Sequence, residues 1–207
     1  MVLVVSSRAR YIALEGAEAC GKSTQAVLLA AALDAVHTRE TGGTRIGAKI
    51  RDILHDSENT DLADKAEVLL IAADRAQHLQ EVIRPALLAG RHVVSDRSAY
   101  SSLAYQSFGR GVAYDVVRDT NDWALDGIWP QLVLLIDVPV EVLAARMADR
   151  DLDRFELADD AFHTRVREGF RDMAANDPQR WVVIDGAGST ADVAAIIRST
   201  VCERLGI

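Results

Sequence analysis

An eight-residue segment near the N-terminus carries the clearest chemistry in the sequence. Residues 16–23 read Gly-Ala-Glu-Ala-Cys-Gly-Lys-Ser and fit the pattern G-x-x-x-x-G-K-[S/T]. The two glycines let the backbone curl so that its N–H groups point at phosphate oxygens, and a helix that follows adds its positive end. Lys22 would neutralise the β- and γ-phosphates of a nucleoside triphosphate. We therefore predict a phosphate-binding loop that consists of Gly16, Ala17, Glu18, Ala19, Cys20, Gly21, Lys22, Ser23 and Thr24.

The rest of the chain alternates between short apolar runs and helical patterns, with no linker or repeat. We predict strands at residues 11–14, 35–37, 92–95, 132–136 and 181–184. We predict helices at residues 25–35, 63–89, 98–108, 114–125, 139–149, 161–175 and 191–205, the second of them kinked or broken at Pro85. This alternation indicates an α/β fold with a parallel sheet covered on both faces, in which ligands bind at the carboxyl ends of the strands.

Composition excludes several broad classes of protein. The chain has 207 residues, 49% of them hydrophobic, and a net charge of -8, which argues against general binding to nucleic acid or to an anionic membrane. No run approaches the 18 apolar residues of a membrane span, and the N-terminus lacks the order of a signal peptide. The two cysteines, Cys20 and Cys202, fit a reducing compartment, and the five histidines show no metal-ligand spacing. We expect a soluble cytoplasmic protein.

Three further segments narrow the activity. They are residues 38–51 (TRETGGTRIGAKIR), 96–106 (DRSAYSSLAYQ) and 152–156 (LDRFE). Together with residues 15–16 and 22–25, they resemble the bacterial type of thymidylate (dTMP) kinase, a family of P-loop nucleoside monophosphate kinases. The resemblance runs in order from about residue 10 to residue 185.

The resemblance implies a fold and a reaction. The expected fold is a three-layer P-loop NTPase fold with a five-stranded parallel sheet flanked by helices, forming one domain over residues 1–207 with a short lid at about residues 146–156. The expected reaction moves the γ-phosphoryl group of ATP onto dTMP with Mg²⁺ and gives dTDP for dTTP synthesis. Ser23 would ligate Mg²⁺, and Asp96 would hold it through water. The family is typically homodimeric, and we expect no nucleic-acid or membrane partner.

The resemblance also assigns the acceptor site. Arg97 and Arg51 match arginines that bind the acceptor phosphate, for which the fork of a guanidinium is suited. Glu18 matches the acid that accepts a hydrogen bond from the deoxyribose 3′-hydroxyl. Tyr105 would lie beside the sugar, where its ring can exclude a 2′-hydroxyl, and Glu40 would lie near the acceptor. The base is expected against Ile71, Arg75, Ser102 and Gln106.

Phosphoryl transfer needs mainly positioning and neutralisation of charge, and the catalytic residues are expected to be cations. Lys22 and Arg97 are two of them. The phosphate loop contains no arginine, so the resemblance implies that the lid supplies one, either Arg150 or Arg154. The choice between these two stays open.

Four positions depart from the family pattern. Thr41 stands in place of a proline, Ile71 in place of a phenylalanine that stacks on thymine, Ser98 in place of a tyrosine, and Tyr100 in place of an aspartate. These departures leave open a related kinase with another pyrimidine monophosphate as acceptor, such as dUMP. A non-catalytic nucleotide-binding module is disfavoured, because Asp96, Arg97 and the lid arginines are all present.

Overall fold

The computed structural model describes residues 9–139, 141–143 and 153–207. Its five strands form one parallel sheet, as the sequence predicts, and their order in the sheet is β2-β3-β1-β4-β5. The central strand β1 has Leu14 opposite Asp96 of β3 and opposite Leu134 of β4, so the carboxyl ends of three strands lie side by side. The strands are β1 (Tyr11–Glu15), β2 (Val36–Arg39), β3 (Val93–Asp96), β4 (Leu132–Asp137) and β5 (Trp181–Asp185).

Helices cover both faces of this sheet. Two π-helical segments, Leu79–Ile83 and Leu103–Gly109, interrupt the α-helical pattern. The predicted helix at residues 139–149 lies mostly outside the described residues. The α-helices are α1 (Lys22–Ala32), α2 (Arg45–His55), α3 (Asp64–His78), α4 (Arg84–Leu88), α5 (Ala99–Ser102), α6 (Tyr114–Ala124), α7 (Asp160–Asn176) and α8 (Thr190–Leu205).

The predicted helix over residues 63–89 is divided into three pieces. Pro85 lies in the first turn of α4, directly after the π-helical segment Leu79–Ile83. Proline has no N–H and its ring clashes with the carbonyl four residues earlier, so the regular hydrogen-bond ladder cannot run through it. The division therefore confirms the break that Pro85 predicts.

Side-chain caps fix where several helices begin. The Thr44 side chain accepts a hydrogen bond from the Gly47 N–H at the start of α2, over 2.9 Å. The Asp159 side chain accepts one from the Phe162 N–H at the start of α7, over 2.6 Å. The first helix begins at Lys22, three residues earlier than predicted, because Gly21 (φ 95°) ends the phosphate loop and starts the helix at once.

The core consists of two apolar layers separated by the sheet. In β4, Leu134 and Ile136 pack against α1 and α8, whereas Val133 and Leu135 pack on the opposite side with residues of α3, α6 and α7. This is why residues 132–136 form a continuous apolar run, since a parallel strand is buried on both faces. Among the described residues, no helix is both long and apolar enough to cross a membrane.

Candidate functional site

A cavity of about 460 Å³ opens at the carboxyl ends of β1, β2 and β3. This is the edge of a parallel sheet at which ligands are expected. It brings together residues from almost every segment that the sequence singled out. The predicted site residues that line it are Glu18, Ala19, Gly21, Lys22, Ser23, Thr24, Glu40, Arg51, Ile71, Arg75, Asp96, Arg97, Ser102, Tyr105 and Gln106.

The phosphate loop connects β1 directly to α1, and its glycines are required by geometry. Gly16 has φ 147°, and a Cβ atom there would lie 2.6 Å from the carbonyl oxygen of Ile136. Gly16, Ala17 and Cys20 belong to the loop but do not line the cavity. Cys20 is buried in the apolar layer under α1.

Glu18 lies between two cations of the cavity. Lys22 Nζ lies 3.4 Å from Glu18 Oε2 and donates to the Ala17 carbonyl over 3.1 Å, while Arg97 Nη2 donates to Glu18 Oε1. The Tyr105 hydroxyl donates to Glu18 Oε1 over 3.2 Å and accepts from Arg97 over 3.0 Å. Burial would raise the pKa of Glu18, but the charges of Arg97 and Lys22 hold it well below its ordinary value. Glu18 is therefore ionised at neutral pH.

Arg97 is held in place by an acid that the sequence analysis did not assign to the site. Arg97 Nη1 donates to the Ser101 hydroxyl over 3.0 Å, and Ser101 donates to Glu15 over 2.6 Å. Glu15 also accepts from the N–H and the hydroxyl of Ser98, over 2.8 and 2.7 Å. Burial raises the pKa of Glu15, although Arg97 and the serine donors oppose the shift. A charged residue at the end of an otherwise apolar strand was the signal that could have identified Glu15.

Three arginines, Arg39, Arg51 and Arg97, line the cavity, and the charges of two of them act on Arg51. Burial lowers the pKa of Arg51, and the positive charges of Arg39 and Arg97 lower it further. Arg51 Nη1 and Arg39 Nε both donate to the Thr41 carbonyl, over 3.3 and 3.4 Å. Sequence analysis had not assigned Arg39, which ends β2. Like charges gathered in one cavity are stabilised by an anion, so the part of the cavity that these arginines line is suited to a phosphate group.

Another part of the cavity wall contains a buried hydrogen-bond network. Arg75 is 1% exposed; its Nε donates to Glu40 over 2.6 Å and its Nη1 to Ser102 over 2.7 Å. Asn121 accepts a further bond from Arg75, and His78 Nδ1 donates to Glu40 over 2.9 Å. Burial would raise the pKa of Glu40, but Arg75 and His78 hold it below its ordinary value. The network fixes the guanidinium of Arg75 rigidly beside the cavity.

Apolar side chains form the wall next to this network. Ile71 is 5% exposed and lines the cavity together with Tyr105 and Phe155, whose ring centroids are 5.9 Å apart. Phe155 was not predicted as a site residue. It supplies an aromatic ring to a cavity in which Ile71 replaces the family phenylalanine.

The other departures from the family pattern are distributed on both sides of the cavity wall. Thr41, which follows a cis peptide bond, lines the cavity. Ser98 is buried against Glu15. Tyr100 does not line the cavity; it packs against Trp129 and Trp181, with ring centroids 5.0 and 4.9 Å away.

Of the two arginines predicted in the lid, the structure describes only Arg154. Arg150 lies outside the described residues. Arg154 Nε donates to the carbonyl of Leu54 over 2.8 Å, and its Nη2 donates to Glu67 over 2.5 Å. Its neighbours Asp153, Phe155 and Glu156 line the cavity, and Asp153 accepts from His55 Nδ1 over 2.6 Å. The structure thus joins Arg154 to α2 and α3; Arg154 is not among the described residues that line the cavity, although it contacts Leu54 and Phe155, which do.

Oxygen ligands suited to a metal ion lie beside the phosphate loop. Asp96 ends β3 and lines the cavity, and its Oδ1 is buried with no hydrogen-bond partner among the described residues. Ser23 is exposed in the first turn of α1 and lines the same cavity. A carboxylate and a hydroxyl are the hard oxygen ligands that Mg²⁺ takes, together with water and substrate phosphates. These residues therefore fit the metal that the sequence predicts.

Comparisons with known proteins agree with this arrangement. The family model described as thymidylate kinase matches residues 14–197. The thymidylate kinase of Trichlorobacter lovleyi is 45% identical over 95% of this chain and 99% of the relative, and that of Chromobacterium violaceum is 46% identical over 92% of each. A crystal structure of thymidylate kinase from Ehrlichia chaffeensis superposes with a TM-score of 0.77 at 29% identity and covers 93% of this chain and 98% of that chain. The motifs, the sheet order and these similarities agree, and the chain belongs to the thymidylate kinase family.

Proposed function

We propose a division of the cavity for the reaction of this kinase, the transfer of the γ-phosphoryl group of ATP to dTMP. The phosphate of dTMP would bind between Arg51 and Arg97, with Arg39 nearby. Its base would lie against Ile71 and Gln106. The observation that carries the proposal is that one cavity is lined both by a group of arginines, whose charges act on one another, and by apolar and hydrogen-bonding side chains such as Ile71 and Gln106.

The sugar would lie between these two groups of residues, and the phosphoryl donor would lie beside the phosphate loop. The ionised Glu18 can accept the 3′-hydroxyl of deoxyribose, and Tyr105, bonded to it, can occupy the space of a 2′-hydroxyl. ATP would bind along residues 16–24, where the loop N–H groups and Lys22 would neutralise its phosphates. The acceptor phosphate is already an anion, so no protein base is required.

Ser23 and Asp96 are the residues that would hold Mg²⁺, the second through the water shell. When bound, the ion would neutralise charge on the phosphates of ATP. The protein contributes the cations around it. Lys22 and Arg97 are fixed by their bonds to the loop and to Ser101, and Arg150 or Arg154 would complete the set from the lid.

Further proposals concern the whole chain. Residues 1–207 would form one kinase domain with a lid at about residues 146–156, which the single sheet spanning residues 11–185 supports. A homodimer is supported by apolar side chains that adjacent helices α2, α3 and α6 expose, among them Ile53, Leu69 and Trp123. Because ATP and dTMP are made and used inside the cell, we also propose that the enzyme acts in the cytoplasm.

Calorimetry with dTMP and with thymidine, which lacks the phosphate, tests the division of the cavity. Arg51→Ala should lower the affinity for dTMP about ten-fold or more and leave that for thymidine within two-fold, since a lost charge-assisted hydrogen bond costs roughly 1.5–3 kcal/mol. Gln106→Leu should weaken both ligands. Loss of thymidine binding in Arg51→Ala, or a Gln106→Leu variant that binds both ligands normally, would contradict the proposed orientation.

A further inference from the structure

Glu67 is a buried carboxylate that lies behind the cavity wall. It is fully buried, lies in the first turn of α3 and received no role from the sequence analysis. Its Oε1 accepts from Gln106 Nε2 over 2.8 Å, and its Oε2 accepts from Arg154 Nη2 over 2.5 Å. A second guanidinium, that of Arg110, lies 3.5 Å from the same Oε2. A buried carboxylate is costly unless it is paired, and here the partners come from two separate parts of the molecule.

The first partner, Gln106, faces the base end of the cavity. An ionised carboxylate can only accept hydrogen bonds, so Glu67 fixes the amide nitrogen of Gln106 toward itself. The amide oxygen then remains available to accept an N–H group, such as the N3–H of thymine. Without Glu67, the amide could rotate by 180° and present a donor instead.

The second partner, Arg154, belongs to the predicted lid and lies in the part of it that the structure describes, residues 153–156. Arg154 also donates from Nε to the Leu54 carbonyl over 2.8 Å, and its backbone N–H donates to the His55 carbonyl over 3.3 Å. These carbonyls belong to the last turn of α2, where a positive side chain is favourable. Its guanidinium lies 4.6 Å from the ring centroid of Phe155, which lines the cavity. Arg154 therefore attaches the end of the lid segment to α2 and α3.

We propose that Glu67 is a positioning residue that couples recognition of the base to the attachment of the lid. The proposal rests on the proposed function, in which Gln106 meets the base and Arg154 belongs to the lid. One carboxylate holds both groups through different oxygens. A substitution that removes one partner changes the position of the Glu67 carboxylate, and this shift alters the hydrogen bond to the other partner. Gln106 and Arg154 should therefore act as a unit although they lie on different elements.

A double-mutant cycle on the full chain tests this coupling. The variants are Gln106→Leu, Arg154→Ala and the pair, measured as kcat/KM for dTMP at saturating ATP. The double variant should be about five-fold more active than the product of the two single effects, because groups in one hydrogen-bond network are not additive. The same cycle with Glu67→Gln should be multiplicative within about two-fold. The cycle with Glu168→Gln, the same change on an exposed residue of α7, should keep the five-fold deviation.

Two results would overturn the proposal: single effects that multiply in the native background, or a deviation that persists in Glu67→Gln. If Glu67→Gln does not fold, as thermal unfolding would show, the cycle in the native background alone still decides, since multiplicative effects there exclude coupling. If the native chain does not phosphorylate dTMP, both the proposed function and this inference are wrong. If it does and the effects multiply, only the role of Glu67 is wrong.

Discussion

At the scale of single residues, charge placement decides what the cavity can bind. Arg97 contacts Glu18, Ser101 and Tyr105, and it is one of the three arginines that line the cavity. Arg97→Ala should raise the KM for dTMP, lower kcat and reduce kcat/KM about 10²–10³-fold, the range for removing one donor of a charge-stabilising site. Arg91→Ala, an exposed arginine just before β3, is the control and should leave steady-state kinetics unchanged. An unchanged kcat/KM in Arg97→Ala would remove Arg97 from the site.

The buried carboxylate of Glu40 should make the stability of the chain depend on pH. Its pKa is lower in the folded chain than in the unfolded chain, so the stability it contributes is present above pH about 4.5 and is lost as pH falls below that value. At pH 7, the free energy of unfolding of Glu40→Gln should be about 3–5 kcal/mol lower than that of the native chain, because Arg75 loses its charged partner. This difference should shrink toward pH 3. Urea unfolding at several pH values measures both quantities. A difference that stays constant with pH would contradict the ion pair.

At the scale of elements, the connection from β1 to α1 sets the geometry of the phosphate loop. Gly16→Ala would place a Cβ atom 2.6 Å from the Ile136 carbonyl oxygen, so the loop must shift. We expect the KM for ATP to rise about ten-fold or more, because one misplaced ångström costs about 10² in such sites. Gly111→Ala is a matched control: Gly111 also has a positive φ, 80°, but its Cβ would meet no described atom within 4 Å. Equal effects of the two substitutions would refute the steric explanation.

Elements also show what the sequence could and could not predict. Short apolar runs predict the five strands. The phosphate loop and Arg97 were predicted from local motifs that lie directly after β1 and β3. The contacts of Arg154 with Leu54 and Glu67 join residues about 90–100 positions apart, and no local pattern encodes them. The same holds for Phe155, which local sequence could not place in the cavity. The π-helical segment Leu103–Gly109 was missed because a shifted hydrogen-bond ladder leaves little trace in side-chain periodicity.

At the scale of the whole molecule, exposed apolar side chains predict self-association. Leu69 on α3 is 57% exposed and Trp123 on α6 is 81% exposed, and these helices pack side by side. Leu69→Glu should convert a dimer to a monomer in sedimentation velocity, because a charge in an apolar interface is costly. Val27→Glu, an equally apolar exposed position on α1, should remain dimeric. A native chain that sediments as a monomer would contradict the predicted homodimer.

The central claim is that this cavity selects dTMP as phosphoryl acceptor. A coupled assay of ADP release with ATP and Mg²⁺ should be run on the native chain with dTMP, dUMP, UMP, dCMP, AMP and GMP, each as the varied substrate. We predict the highest kcat/KM for dTMP, with UMP far below dUMP because Tyr105 stands where a 2′-hydroxyl would be. A higher kcat/KM for another monophosphate, or no turnover of dTMP by folded protein, would contradict the account.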